Sequence, residues 1–328
     1  MIGVSYRSDS GRRYGNSRLL DKTGEANVYT VTSFDEEGQP KRVIKKFKTK
    51  GKKEAAFEEE RDTLNRINQH NGGEGHSGIV RLLDSCQRDS FVVLEYMEGG
   101  NLEDVIDERG RGSFYVCEGV ELIGYVARTL ADIFESYGVV HRDVKPKNIL
   151  LSDPSASRLK NVETERKENL GDMVQPGDIR LCDFSFSLKH NEDTGEYESK
   201  LHDLTQQGFF VGTLQGCAPE ILAEVRGDEK SDVWSMGVMA YELLVKGGAF
   251  QEIQNTRDLF NKLIAFETPR EIKRRLGGFE EVLYGMMQKY PEDRLTAREV
   301  QNLCEEFQEG LKQKRIRNPD KKSFFSLR

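Results

Sequence analysis

Apolar and polar positions along the chain change their period about a third of the way through. Asn27 to Thr32 and Lys41 to Lys46 carry β-branched and apolar residues around the turn-like run Asp35-Glu36-Glu37-Gly38-Gln39-Pro40, which predicts two strands. From Lys52 to Gln69, Phe57, Leu64 and Ile67 recur at helical spacing. Phe91-Val92-Val93-Leu94 is an unbroken apolar run that predicts a buried strand, and Gly99-Gly100 ends it. Further on, Val120, Ile123, Val126, Ala127, Leu130 and Ile133 form one stripe and predict a core helix from Glu118 to Tyr137. Short strands are predicted at Ile149-Leu150-Leu151 and Ile179-Arg180-Leu181-Cys182; helical periodicity returns from Ser231 to Val245 and persists to about Leu311. A small sheet-rich unit followed by a larger helical one predicts an α+β, bilobal chain joined just after Met97. The expected divisions are an N-terminal extension (1–18), a first lobe (19–97), a second lobe (98–311) and a tail (312–328).

Composition narrows the class. At 328 residues, with 36% hydrophobic and 32% charged side chains, the chain can bury a sizeable core. No apolar run approaches the roughly 18 residues that span a bilayer, and Met1 to Arg13 lacks the apolar stretch of a secretory signal. A cytoplasmic or nuclear protein without a membrane partner is expected. The five cysteines are scattered, with no zinc-like spacing, so free thiols are expected. A net charge of −7 argues against a nucleic-acid partner.

Two segments depart from the rest. Lys312 to Arg328 holds seven basic residues and one acidic, which reads as a solvated tail, a dock for an acidic partner, or a nuclear address. The 26 residues from Ser152 to Gly177 separate two strands that a short turn would ordinarily join. They are polar and charged, so they are expected to form a solvated loop, with a regulatory or docking role as the alternative.

The candidate chemistry is concentrated in His141-Arg142-Asp143-Val144-Lys145-Pro146-Lys147-Asn148, between a long amphipathic helix and a short strand. This segment resembles the catalytic loop of eukaryotic-type protein kinases, and Asp183-Phe184-Ser185, after an apolar strand, resembles their Asp-Phe-Gly motif with serine in the glycine position. The resemblance implies a bilobal protein kinase fold, with ATP and Mg2+ as cofactors and a protein serine or threonine as substrate. By it, Asp143 orients the substrate hydroxyl and accepts its proton, Lys145 neutralises the γ-phosphate, and Asn148 and Asp183 bind magnesium. A lysine two places after the aspartate is typical of the serine/threonine branch.

Upstream, Val43-Ile44-Lys45 resembles the third-strand Val-Ala-Ile-Lys motif, so Lys45 would contact the α- and β-phosphates. Glu58, Glu59 and Glu60 are available to pair with it; Glu60 shares a helix face with Leu64 and Ile67 and is the one chosen. The phosphate-covering loop aligns at Val28, but Asp21, Thr23 and Ala26 replace its three glycines, and Asp21 would repel phosphate unless it points away. Leu20 and Val28 would sandwich adenine; Glu95 and Met97, in the hinge-like Leu94-Glu95-Tyr96-Met97, would bond its edge through the backbone.

Further along, Gly212-Thr213-Leu214-Gln215-Gly216-Cys217-Ala218-Pro219-Glu220 resembles the end of the activation segment (183–220), with Thr213 near Asp143 and Lys145. Asp232 matches the helix that anchors the catalytic loop, and Arg294 the buried partner of Glu220. By the same resemblance, Arg142 reads out a phosphate on Thr194, Tyr197, Ser199 or Thr205. An active kinase is the first reading. A pseudokinase serving as a nucleotide-binding scaffold is the second, drawn from the glycine-poor loop and Ser185.

Overall fold

The computed structural model describes residues 5–48, 53–70, 75–110, 114–153, 159, 177–191, 193–199, 216–222, 227–245 and 276–317. The apolar runs of the first lobe form a six-stranded antiparallel sheet: β1 (Tyr6–Arg7), β2 (Arg13–Lys22), β3 (Ala26–Ser33), β4 (Lys41–Phe47), β5 (Leu82–Cys86) and β6 (Phe91–Glu95). Their spatial order is β1-β2-β3-β4-β6-β5. Residues of alternating parity point to opposite faces of each strand. Phe47, Val92 and Leu94 thus join the main core beneath helix α1 (Lys53–His70), whose Phe57, Leu64 and Ile67 are buried there. Val31, Ile44, Phe91 and Val93 instead pack with Tyr6 and Tyr14 in a smaller cluster. The boundary expected at residue 18 falls inside β2. Tyr14 is 0% exposed and Tyr6 meets Phe91 edge-on at 5.6 Å, so this stretch is built into the first lobe.

The second lobe is helical: α2 (Leu102–Arg109), α3 (Val116–Tyr137), α4 (Pro219–Leu222), α5 (Glu229–Leu244), α6 (Glu280–Met286) and α7 (Ala297–Arg317). The stripe on α3 is buried between α5 and α7. This helix ends at Gly138, whose left-handed φ of 61° lets the chain turn directly into β7 (Val139–Val140). Helix α7 runs past the tail boundary expected at residue 312, while residues 318–328 lie outside the described set. Among the described residues, no helix is long and apolar enough to cross a membrane.

Short strands carry the cleft floor. β8 (Ile149–Leu151) pairs antiparallel with β9 (Ile179–Leu181), Ile149 opposite Leu181. β10 (Leu188–Asn191) lies between β7 and β11 (Glu196–Glu198) in a three-stranded sheet. The lobe junction crosses this floor closely: Gly99 N donates to Leu151 O at 3.0 Å and Leu151 N to Gly100 O at 2.9 Å. A Cβ at Gly99 would fall 2.3 Å from the Ser152 carbonyl oxygen, so a larger residue would force the crossing apart. The ends of the 152–177 insert are clasped, with Ser152 N donating to Asp178 O at 2.7 Å and Ser152 Oγ to Asp178 Oδ1 at 2.9 Å. Within the insert, Leu159 is buried and its carbonyl accepts from Arg109 Nη1 at 2.7 Å.

Candidate active site

Lys45 sits mid-sheet, opposite Val28 on one side and Val92 on the other, and only 4% of it is exposed. Its Nζ lies 2.6 Å from Glu60 Oε2, 2.6 Å from Asp183 Oδ1 and 3.1 Å from Ser185 Oγ. The helical period of α1 turns Glu60 inward with Leu64 and Ile67. Glu59 is buried too, but faces the activation segment: it accepts from Ser199 Oγ at 3.3 Å and lies 3.9 Å from Lys189 Nζ. Glu58 is half-buried.

Burial works against each charge in this cluster, and the neighbours decide the outcome. For Glu60, burial prevails over the attraction of Lys45 and pushes the carboxyl up to about 7. Burial would also raise Asp183, but the Lys45 ammonium holds it well below the usual carboxylate range. Burial opposes the charge on Lys45 as well, yet Asp183 and Glu60 keep that group above the ordinary lysine value.

The loop from His141 to Asn148 is held from beneath by Asp232 in the first turn of α5. Both Asp232 oxygens accept at 2.7 Å, one from His141 N and the other from Arg142 N. Those donors offset part of a burial effect that still raises Asp232 to about 7. Arg142 takes a left-handed φ of 67°, and the Asp232 clasp supports that turn. His141 is fully buried; its Nδ1 accepts from Asp143 N at 3.2 Å and its Nε2 faces Cys182 O at 3.0 Å. The network therefore assigns the proton to Nε2. Burial lowers the His141 pKa and keeps the ring neutral at pH 7. Phe184 stands edge-on against this ring at 4.7 Å.

Asp143 Oδ2 accepts from Lys145 Nζ at 2.6 Å and from Asn148 Nδ2 at 2.9 Å. Asn148 Nδ2 also donates to Asp143 O at 2.7 Å, so the amide nitrogen is used inward and Oδ1 is the atom left for another partner. Asn148 Oδ1 and the Asp183 carboxylate are hard oxygen donors of the type that bind small divalent cations. Among the described residues no cluster of three or more His, Cys, Asp or Glu could cage a metal alone. The donor set suits a cation shared with a bound phosphate.

Over the cleft, Leu20 is half-exposed on β2 and Val28 partly buried on β3. Asp21 Oδ2 pairs with Lys147 Nζ at 2.9 Å, joining the β2–β3 hairpin to the loop from His141 to Asn148. The tip of the hairpin is tied down by Lys48 Nζ, which donates to Thr23 O at 2.6 Å and Gly24 O at 3.0 Å. At the junction, Leu94 is buried and Met97 half-buried. The Glu95 side chain is engaged by Arg81 N, at 2.6 Å, and by the Arg180 guanidinium.

Thr213 and Thr205 lie outside the described residues. Tyr197 donates its hydroxyl to Glu229 Oε2 at 2.7 Å, and Thr194 is exposed in the turn between β10 and β11. Arg294 forks onto Glu220, Nη1 to Oε1 at 2.8 Å and Nη2 to Oε2 at 3.0 Å. Sequence reasoning missed two contacts, Ser185 with Lys45 and Asp21 with Lys147. Both contacts join positions far apart in the chain, and the sequence carried no signal for either.

Two lobes closing on a buried lysine–carboxylate cluster, with the Asp143 loop on the cleft floor, define a protein kinase architecture. Residues 19–304 match the protein kinase domain, and the chain belongs to that family. Among its relatives, serine/threonine-protein kinase STE20 of Saccharomyces cerevisiae is 31% identical over 236 residues, covering 70% of this chain and 21% of the relative. Ribosomal protein S6 kinase alpha-2 of Mus musculus is 30% identical over 244 residues, covering 69% and 27%. Serine/threonine-protein kinase pakA of Talaromyces marneffei is 29% identical over 232 residues, covering 69% and 30%. The chain thus spans less than a third of the length of these relatives.

Proposed function

We propose that this chain is an active serine/threonine protein kinase that transfers the γ-phosphate of ATP to protein hydroxyls with the help of Mg2+. The observation that carries the reading is the meeting of Lys45, Glu60 and Asp183 within hydrogen-bond distance of one ammonium. The names of the relatives support the serine/threonine branch.

Lys45, held by Glu60, engages the α- and β-phosphates, while Leu20 and Val28 flank the adenine. The backbone of Glu95 and Met97 hydrogen-bonds the adenine edge. Asn148 Oδ1 and Asp183 would hold magnesium, which would supply positive charge against the phosphate oxygens. Asp143, braced by Asn148, orients the incoming hydroxyl and accepts its proton, and Lys145 moves from Asp143 toward the transferred phosphate. By the family resemblance alone, Thr213 would support Asp143 and Lys145. The proposal extends to a reducing compartment, cytosol or nucleus, supported by five unpaired cysteines.

The test is transfer from labelled ATP, with magnesium, to a generic basic protein, beside Asp143→Asn. The variant should lose about 10²- to 10⁴-fold in kcat, the usual worth of a positioned proton acceptor. If the unaltered chain transfers no more than the variant yet is stabilised thermally by nucleotide, the scaffold reading replaces this one.

A further inference from the structure

Ser185 is 1% exposed, and its hydroxyl works in both senses. It donates to Asp183 Oδ1 and accepts from Lys45 Nζ at 3.1 Å, within the capacity of one proton and two lone pairs. Its backbone N–H approaches the same Oδ1 at 3.4 Å, and Lys45 Nζ reaches that oxygen at 2.6 Å. The donors to this carboxylate therefore converge on Oδ1; among the described residues none donates to Oδ2. One oxygen is fixed, and the other is left for a ligand. Asp183 itself stands at a left-handed φ of 70°, a conformation that needs support from its surroundings.

We propose that Ser185 is a positioning residue for Asp183: its hydroxyl fixes the carboxylate through Oδ1 and leaves Oδ2 for the cation, including when Lys45 turns to nucleotide phosphates. The inference rests on the kinase reading of the cleft. A glycine at this place would offer Asp183 only the distant backbone N–H. The hydroxyl adds a buried, charge-assisted bond, the stronger kind. Ser185 thus contributes an ordered carboxylate where a glycine would contribute backbone freedom.

Two variants separate the hydroxyl from the backbone: Ser185→Ala removes only the oxygen, and Ser185→Gly also removes Cβ. The first readout is the magnesium chloride concentration giving half-maximal phosphotransfer. The second is the extra thermal stabilisation that magnesium chloride adds to ADP, which does not depend on turnover. Both variants should raise the half-maximal concentration roughly tenfold, about the worth of one hydrogen bond to a charged group. Both should shrink the magnesium increment, with stabilisation by ADP alone retained. A structural filler would move the melting temperature of the free protein but neither magnesium readout.

An alanine variant within about twofold of the unaltered chain in magnesium dependence overturns the proposal. So does a glycine variant that behaves normally while alanine fails, because backbone freedom would then be the cause. If the unaltered chain transfers no phosphate but shows the magnesium increment, the kinase reading fails alone, and the thermal comparison still decides the role of Ser185. An unaltered chain with neither overturns both.

Discussion

At the scale of single residues, His141 ties the catalytic loop together through both ring nitrogens, and only the neutral ring can do so. Nδ1 must stay unprotonated to accept from Asp143 N. Burial places the folded pKa of this histidine below its ordinary 6.5. Between those values the unfolded chain holds a proton that the folded chain does not, so stability rises with pH across the window and is lost as pH falls through it. His141→Asn keeps an acceptor near Nδ1 but does not titrate. The melting-temperature gap between the unaltered chain and this variant should narrow from about pH 7.5 to about pH 5; a constant gap would refute the assignment. The inward side of α1 was legible in the sequence, because Glu60, Leu64 and Ile67 follow one period. The bond from Ser185 to Lys45 was not, since it joins a loop to a strand 140 positions away.

At the scale of elements, the β10–β11 hairpin couples the activation segment to α1. Ser187 Oγ lies 3.0 Å from Thr63 Oγ1, and Ser199 Oγ donates to the buried Glu59. Tyr197 adds a third hold through Glu229 at the start of α5. A phosphate or carboxylate at Ser199 would stand against Glu59, on the helix that carries Glu60. Ser199→Asp should therefore lower phosphotransfer about three- to tenfold and speed amide exchange along α1, with Ser199→Ala close to normal. Raised activity in the aspartate variant would contradict this arrangement. The hairpin could not be read from the sequence: Lys189-His190-Asn191 and Glu196-Tyr197-Glu198 show no apolar alternation. Among the described residues the hairpin's strand partner is β7, itself two residues long, which pairs with β10. The long stripe on α3 and the run in β6 were legible because burial on α3 follows one helical face and burial in β6 is nearly continuous.

At the scale of the whole molecule, one buried cluster runs from Phe47 and Phe57 in the first lobe to Trp234 and Phe279 in the second. The cleft is thus a groove in a shared interior, and the lobes should melt as one unit. Tyr14 lies outside that cluster, yet it covers the back of the sheet holding Lys45. Tyr14→Ala should cost about 3–5 kcal/mol, the usual loss for a buried aromatic, and move a single calorimetric transition as a whole. A separate early transition would show that the first lobe melts alone. The division into two lobes was legible from the change of period near Met97. The welding of residues 6–14 onto the sheet was not, because Tyr6 and Tyr14 stand among polar neighbours and gain meaning only beside Phe91 and Val93. The clasp between Ser152 and Asp178 bears on how such a chain can lengthen. Because the two ends of the insert are already bonded, residues added after the buried Leu159 lengthen a loop that is already closed, at roughly 0.6 kcal/mol for each doubling. A reporter domain spliced there would leave the floor of the cleft in register, making this the natural port for engineering the protein.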